Sequence, residues 1–595
     1  MRDPGSAAIS PRNSESVASN PDARTILDTM RDVLDQVHRL PTPNYQRSER
    51  GSSGYIDVLR NLTETTFAVN AAVGVLLNSA TQINSLPPEV LSCIFSAYAT
   101  DEPRYGPASF RTFQIPVARD AARLTQVCKH WRDVALSTPS LWAGVVCGVQ
   151  GEHTPYKRYI RLSRSSALRV KVCGDAESTA ELFRDQPSRI RHLLMMDVHD
   201  NWTRRRDPQD LLAVVGPDLL SCTLDLRLWP RGPSPDHSIS LFSGEAKDMR
   251  ELVIHQAKIV PLDSFPRLTH LMLYDIQGTP SLPHILQLLH RCPKLEEVCI
   301  RSSRQVASLP TQRQQTVTLQ HLRRISILTQ SSFWLVSHID VPATCLVRLD
   351  NVTHHELSIL TQLPACHRLA ADRLTRLGVF SRSASPIIQG WTTEFNVELS
   401  NPESNSGLFL NIAAPHSTSR AELSEALTAA FTGNPLFSNV AVLWAVRQPT
   451  SFVLVPSVLR ALPAVTMLGM FFHDRTRIAD LGAVLAAKAG DPIMCPRLSA
   501  LCVQNCAAKD DFESVRRIVE SRAQAQSGLR LRRLAIGCAD SLHARALDLQ
   551  EHVDDLIVRP RLDMLPPKEW RDDPEIPDKG IWPDWDYFQN PDHSR

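Results

Sequence analysis

Apolar positions along the chain change their period more than once. Ile26, Met30, Val33, Val37 and Leu40 recur at spacings of four and three, the period of a coiled-coil seam, and Pro41 ends the run. After a Pro-, Ser- and Gly-bearing linker at 41–54, Leu59, Leu62, Val69, Val73 and Leu76 predict another helix. This helical segment, 21–82, suits dimerisation, or packing of the two helices on each other or on the helices next in the chain. Ser85-Leu86-Pro87-Pro88-Glu89 then reads as a helix entry, because proline is tolerated in a first turn, where the amides lack an intrahelical acceptor. Leu91, Ile94, Phe95 and Tyr98 continue it as an amphipathic stripe. Beyond a loop with Pro103, Gly106, Pro107 and Pro116, a second stripe holds Leu124, Val127, Cys128, Trp131, Val134 and Ala135. Ser137-Thr138-Pro139 stops it, and Leu141 and Trp142 come after the stop.

Further on the pattern becomes a recurring frame: an apolar residue, a second three places later, and a third after two more. Proline precedes it at Pro266 (Leu268, Leu271, Leu273), Pro293 (Leu295, Val298, Ile300), Pro463 (Val465, Leu468, Met470) and Pro496 (Leu498, Leu501, Val503). Without proline it recurs at Met249/Leu252/Ile254, Leu322/Ile325/Ile327, Leu346/Leu349, Leu374/Leu377/Val379, Val440/Leu443 and Leu531/Leu534/Ile536. Central positions step by 19, 27, 27, 24 and 28 residues from Leu252 to Leu377 and by 25, 33 and 33 from Leu443 to Leu534, the 20–30-residue range of leucine-rich repeats slightly stretched. Alternation within each frame suits a short strand with one buried face. Apolar stripes at Leu282–Arg291 and Phe512–Arg522 read as helices between strands, so neighbouring strands are expected to run parallel. The Asn or Cys usual after such a strand is present at Cys506 but replaced at Ile276, Ser303 and Gln330. Residues 382–436 lose the rhythm, which fits an irregular repeat or an insertion. A non-repeat α/β domain is the structural rival.

The chemistry is sparse. In 595 residues, 65 Lys and Arg balance 63 Asp and Glu, a net charge of +2; no field of one sign exists to hold a nucleic acid or a membrane surface. Thirteen cysteines lack any Cys-x-x-Cys pair. Cys495, Cys502 and Cys506 could ligate zinc, but buried reduced thiols fit them better, and no metal or cofactor is expected. Met1–Asn20 has no apolar core, so no secretory leader is expected, and a cytoplasmic or nuclear location is inferred. No His-Glu-x-x-His, Gly-x-Ser-x-Gly, Gly-x-Gly-x-x-Gly or Gly-Lys-Ser/Thr phosphate loop occurs. His354-His355-Glu356 reads as a solvated turn. No catalytic residue is assigned, and the chain is expected not to be an enzyme.

Leu86-Pro87-Pro88-Glu89-Val90-Leu91 with Ile94-Phe95 resembles the first half of an F-box, and Leu124–Ala135 its second half. Ser137–Trp142 is similar to the tail seen in many F-box-like proteins of mushroom-forming (basidiomycete) fungi, which also often carry a helical segment before the F-box. The connection Thr100–Val117 is longer and richer in proline than in a minimal F-box. Such small helical modules keep more apolar surface than they can bury. The resemblance implies that this surface binds a Skp1-like adaptor, and through it a cullin, with contacts from Leu86, Pro87, Ile94, Val127, Cys128 and Trp131. It implies a substrate-recognition subunit of a cullin-type (SCF) ubiquitin ligase that holds a target protein on the repeats. A repeat-based scaffold outside any ligase is the alternative, and an enzyme on an α/β domain a weaker third. The expected fold is α/β: N-terminal helices and a small all-α F-box module at 83–145, then a leucine-rich-repeat-like strand–helix solenoid over 160–559. Residues 1–20 are expected to be a disordered lead-in. Residues 560–595 form a tail with Trp570, Trp582, Trp585 and Tyr587 that suits docking on the array or binding a partner.

Overall fold

The computed structural model of the protein describes 52–100, 118–147, 156–172, 176–195, 218–225, 282–302, 420–446, 455–471, 479–486, 493–506, 509–525 and 529–560. It also describes most of 238–274, 315–383 and 393–414, and isolated positions at 25–39, 212 and 214. The lead-in 1–20, the connection 101–117, the tail from 561, Ile276, Ser303, Gln330 and His354 lie outside the described residues.

The helices between 52 and 145, with Lys157–Ser166, make one compact unit, and the chain from Ala167 onward makes another. In the first, α1 spans Ser52–Ala80. It covers the second apolar series, of which Leu62, Val69, Val73 and Leu76 are half-buried. Thr25, Asp28, Arg31, Asp32, Asp35 and Arg39 are helical and exposed, a polar face for the earlier series. α2 runs Pro88–Thr100, α3 Ala118–Val127 and α4 Lys129–Ser137, and a 3-10 turn comes next at Pro139–Trp142.

The second unit is built on a large, mostly parallel sheet. Its strands are β1 Leu168–Val172, β2 Ile190–Met195, β3 Ser221–Asp225, β4 Glu251–His255, β5 His270–Tyr274 and β6 Glu297–Arg301. β7 Arg324–Leu328, β8 Leu346–Val352, β9 Arg376–Ser383, β10 Thr393–Asn401 and β11 Ser406–Ala414 continue it. β12 Val442–Val446, β13 Met467–Phe471, β14 Ala500–Cys506, β15 Arg533–Cys538 and β16 Asp555–Arg559 follow. From β1 to β8 each strand pairs in parallel with the next in the chain, and the same holds from β12 to β16. Helices lie between several of them, including Leu282–His290 and Lys509–Gln524, where the sequence places its apolar stripes.

The recurring frame coincides with this ladder. Leu252, Leu271, Val298 and Ile325 stand opposite one another in register, as do Leu377, Leu443, Leu468, Leu501 and Leu534, and all are buried. One frame needs correction: Val347, not Leu349, pairs with Ile325. Leu346 and Leu349 share the spacing of a frame but straddle the true position, and spacing alone cannot separate the two.

The irregular stretch 382–436 has a definite form. β9, β10 and β11 are an antiparallel meander, and β11 rather than β9 lies beside β8. The hairpin β10–β11 thus sits between β8 and β9, which then pairs with β12. Val397, Leu399, Leu408, Leu410 and Ile412 are buried; the segment that loses the repeat rhythm is part of the core, not a loop on its rim.

Candidate functional site

On α2 the sequence writes two adjacent stripes. Leu91, Phe95 and Ala99, at i, i+4 and i+8, face inward and are buried. Val90, Ile94 and Tyr98 each stand one residue earlier, about 100° round the helix, and are 43%, 39% and 53% exposed. On α3, Ala121 and Leu124 turn inward, whereas Val127 is 52% exposed. These large apolar side chains meet water while the interior beside them is filled.

That interior joins Leu91, Phe95, Ala99, Ala121, Leu124, Val134, Ala135, Leu141 and Trp142 into one cluster. Ile83, Leu86, Trp131, Leu136, Tyr159 and Leu162 pack against its edge. Trp142 fills the centre, its indole N–H donating to the Ala135 carbonyl at 2.8 Å, and stacks on Tyr159 at 5.7 Å between ring centroids. Trp131 leans on Phe95 at 4.8 Å and donates its indole N–H to the Asn84 side chain. Cys128 is the N-cap of α4, its Sγ accepting from the Trp131 amide at 3.4 Å.

The six residues assigned from sequence therefore fall into three groups. Pro87, Ile94 and Val127 are exposed. Leu86 and Trp131 are half-buried at the edge of the core. Cys128 is half-buried and holds a helix end. Val90 and Tyr98 were missed; the signal available was their i, i+4, i+8 spacing with Ile94, a second stripe masked by the stronger one beside it. Covering a fully exposed side chain of this size is worth about 1.5–3 kcal/mol, before the cost of association. The arrangement thus leaves an apolar stripe open to solvent on a small helical module with its own core.

Residues 83–147 match the family model described as F-box-like. The chain carries an F-box-like domain there, the module typical of F-box proteins, which generally bind Skp1-like adaptors. No curated protein matches the chain.

The other candidates have local explanations. Burial pushes the Cys495 thiol up to about 11 and the Cys502 thiol up to about 12, and raises Cys506 further, so all three are held as neutral thiols. Among the described residues, no group of three or more His, Cys, Asp and Glu side chains could hold a metal ion. Glu356 accepts from the Thr353 amide at 2.8 Å and the Thr353 hydroxyl at 2.9 Å, closing a turn. No described helix is long and apolar enough to cross a membrane.

Proposed function

We propose that this chain is a substrate-recognition subunit of a cullin-type ubiquitin ligase. Its F-box-like domain would hold a Skp1-like adaptor, and its parallel strand–helix region, read as degenerate leucine-rich repeats forming a solenoid, would hold a target protein. The observation that carries the reading is the exposed stripe Val90, Ile94, Tyr98, with Val127 beyond it, on a domain that matches the F-box-like family. Adaptor contacts are assigned to Pro87, Ile94 and Val127 directly. Leu86, Cys128 and Trp131 contribute at the edge, where they also support the core. The chain itself performs no chemistry on this reading. It works by raising the target's effective concentration beside another protein's active site, in the cytoplasm or nucleus.

The test is a pull-down of purified Skp1-type adaptor by the full chain, with Ile94→Asp and Val127→Asp as variants. Either aspartate places a charge in an apolar contact and is expected to abolish binding, while circular dichroism and the melting temperature stay near wild type. No binding by the wild-type chain, or undiminished binding by both folded variants, would refute the ligase assignment.

A further inference from the structure

Each of the strands β4 to β7 is entered through the same tight turn. The amides of Met249, Leu268, Leu295 and Leu322 donate to the carbonyls of Ala246, Phe265, Cys292 and Leu319, three residues back in each case. The residue just before each strand is then fixed against its neighbour. The Thr269 amide donates to the Arg250 carbonyl at 2.9 Å, Glu296 to Thr269 at 2.8 Å and Arg323 to Glu296 at 2.7 Å. Arg250, Thr269, Glu296 and Arg323 therefore form one row along the strand-entry rim of the sheet, about 14 Å long at the usual strand spacing. Asp248, Arg267, Lys294 and His321, two places earlier in the chain and within the turns, form a second row beside it. Cations dominate this rim: Lys247, Arg250, Arg267, Lys294 and Arg323 are all exposed. Arg267 holds Asp248 at 2.5 Å, and Arg323 approaches Glu296 at 3.7 Å. Lys247, Arg250 and Lys294 make no ion pair among the described residues. At the strand starts behind them, Glu297 is taken up by Arg324 and Glu251 is half-buried.

We propose that the strand-entry rim of β4–β7 is a docking surface for an acidic segment of a partner protein, with Lys247, Arg250 and Lys294 as its free cations. This goes beyond the ligase reading and does not depend on it. The side chains already stand in water, so a partner meets them without displacing any part of the chain. An extended peptide rises about 3.4 Å per residue, so carboxylates on alternate residues fall about 7 Å apart and a short acidic run covers the rim from Arg250 to Arg323. A protein segment fits better than a nucleic acid. It can set uncharged residues opposite Asp248 and Glu296, whereas a nucleic acid brings a charge with every nucleotide. Nor does the rim offer an exposed Phe, Tyr or Trp among the described residues on which a base could stack. Exposed pairs are individually weak and screened by salt, so binding grows from their sum and from the faster encounter that a local field of one sign gives.

The probe is fluorescein-labelled octaglutamate, titrated with the full chain and followed by fluorescence anisotropy. Saturable binding is expected, weakening about tenfold between about 0.05 and about 0.3 M salt. Octalysine with the same label is expected not to bind. Arg250→Glu with Lys294→Glu is expected to weaken octaglutamate binding about tenfold or more. Arg460→Glu with Arg517→Glu, at exposed positions on helices beyond the hairpin, changes the net charge equally and is expected to leave binding within about twofold. Should the rim pair fail to fold by circular dichroism, Arg250→Gln with Lys294→Gln replaces it, with a smaller loss in the same direction. No binding by the wild-type chain, no loss in the rim pair, or equal loss in both reversed pairs overturns the assignment. Tighter binding of labelled octathymidylate, lost with the rim pair, overturns it in favour of a nucleic acid.

Discussion

At the scale of single residues, neighbours in the sequence carry opposite duties. Phe95→Ala empties the middle of the F-box-like core and is expected to cost about 3–5 kcal/mol, measured by denaturant unfolding. Ile94→Asp next to it is expected to leave stability within about 0.5 kcal/mol and change only adaptor binding. Gly469 is a second such position. A Cβ there would lie 1.8 Å from Cε3 and Cζ3 of Trp444, whose indole covers it, so Gly469→Ala is expected to destabilise by about 1–3 kcal/mol. In a double-mutant cycle, Trp444→Ala should remove most of that added penalty; an additive outcome would disprove the contact. His192 supplies the pH dependence. Burial, with Arg169 and Arg191 nearby, holds its pKa down to about 4, against ~6.5 in an unfolded chain. At neutral pH both states are uncharged there and nothing is lost. As pH falls from about 6.5 to about 4 the unfolded chain takes up a proton that the folded one refuses, and stability drops, by less than the full shift implies because the imidazole is partly solvated. Melting temperatures across that window should fall more steeply for wild type than for His192→Gln.

Among the elements, the hairpin β10–β11 joins the two parallel runs of the sheet through antiparallel pairing. β10 has a partner on each side, with Val397 opposite Leu410 and Val379. Val397→Pro removes a ladder donor between two strands and is expected to cost about 3 kcal/mol or more, with hydrogen exchange rising in β8, β9 and β11 together. Exchange confined to β10 would show that the hairpin is not structural. The frame at Leu268, Leu295, Leu498 and Leu531 was legible because a strand buried on one side must repeat its apolar positions. β10 and β11 were not, since an antiparallel meander obeys local pairing and owes nothing to the repeat. β1, β2 and β3 also escaped the frame, although β1 shows the same alternation of buried and half-buried positions.

In the molecule as a whole, the boundary of the F-box-like domain has a physical consequence. The family match ends at 147, yet Tyr159 and Leu162 pack on the same core and Tyr159 stacks on Trp142. A fragment spanning 80–166 is therefore expected to unfold at least about 2 kcal/mol harder than one spanning 80–150, measured by urea denaturation. Equal stabilities would place Tyr159 and Leu162 outside the folding unit. Elsewhere the face of the sheet that bears Glu297 is not uniform. Arg348 forms a bidentate pair with Asp350 at 2.8 and 3.1 Å and lies over Phe409. Beyond the hairpin, Val442, Met467, Ala500, Cys502 and Ala535 make an apolar cluster. These differences arise only when strands far apart in the chain are set side by side.

The sequence by itself determined the two kinds of architecture and their order, because periodicity records which positions must leave water. It also located the F-box-like helices through Leu86–Phe95 and Leu124–Trp142. Tertiary structure alone decided which apolar residues would be core and which surface: Phe95 and Ile94 look alike until the helices around them are placed. It alone decided where the hairpin enters the sheet, since a strand's partner depends on crossover geometry rather than on its own residues. And it alone set Arg324 beside Glu297, because the two residues meet only across the ladder.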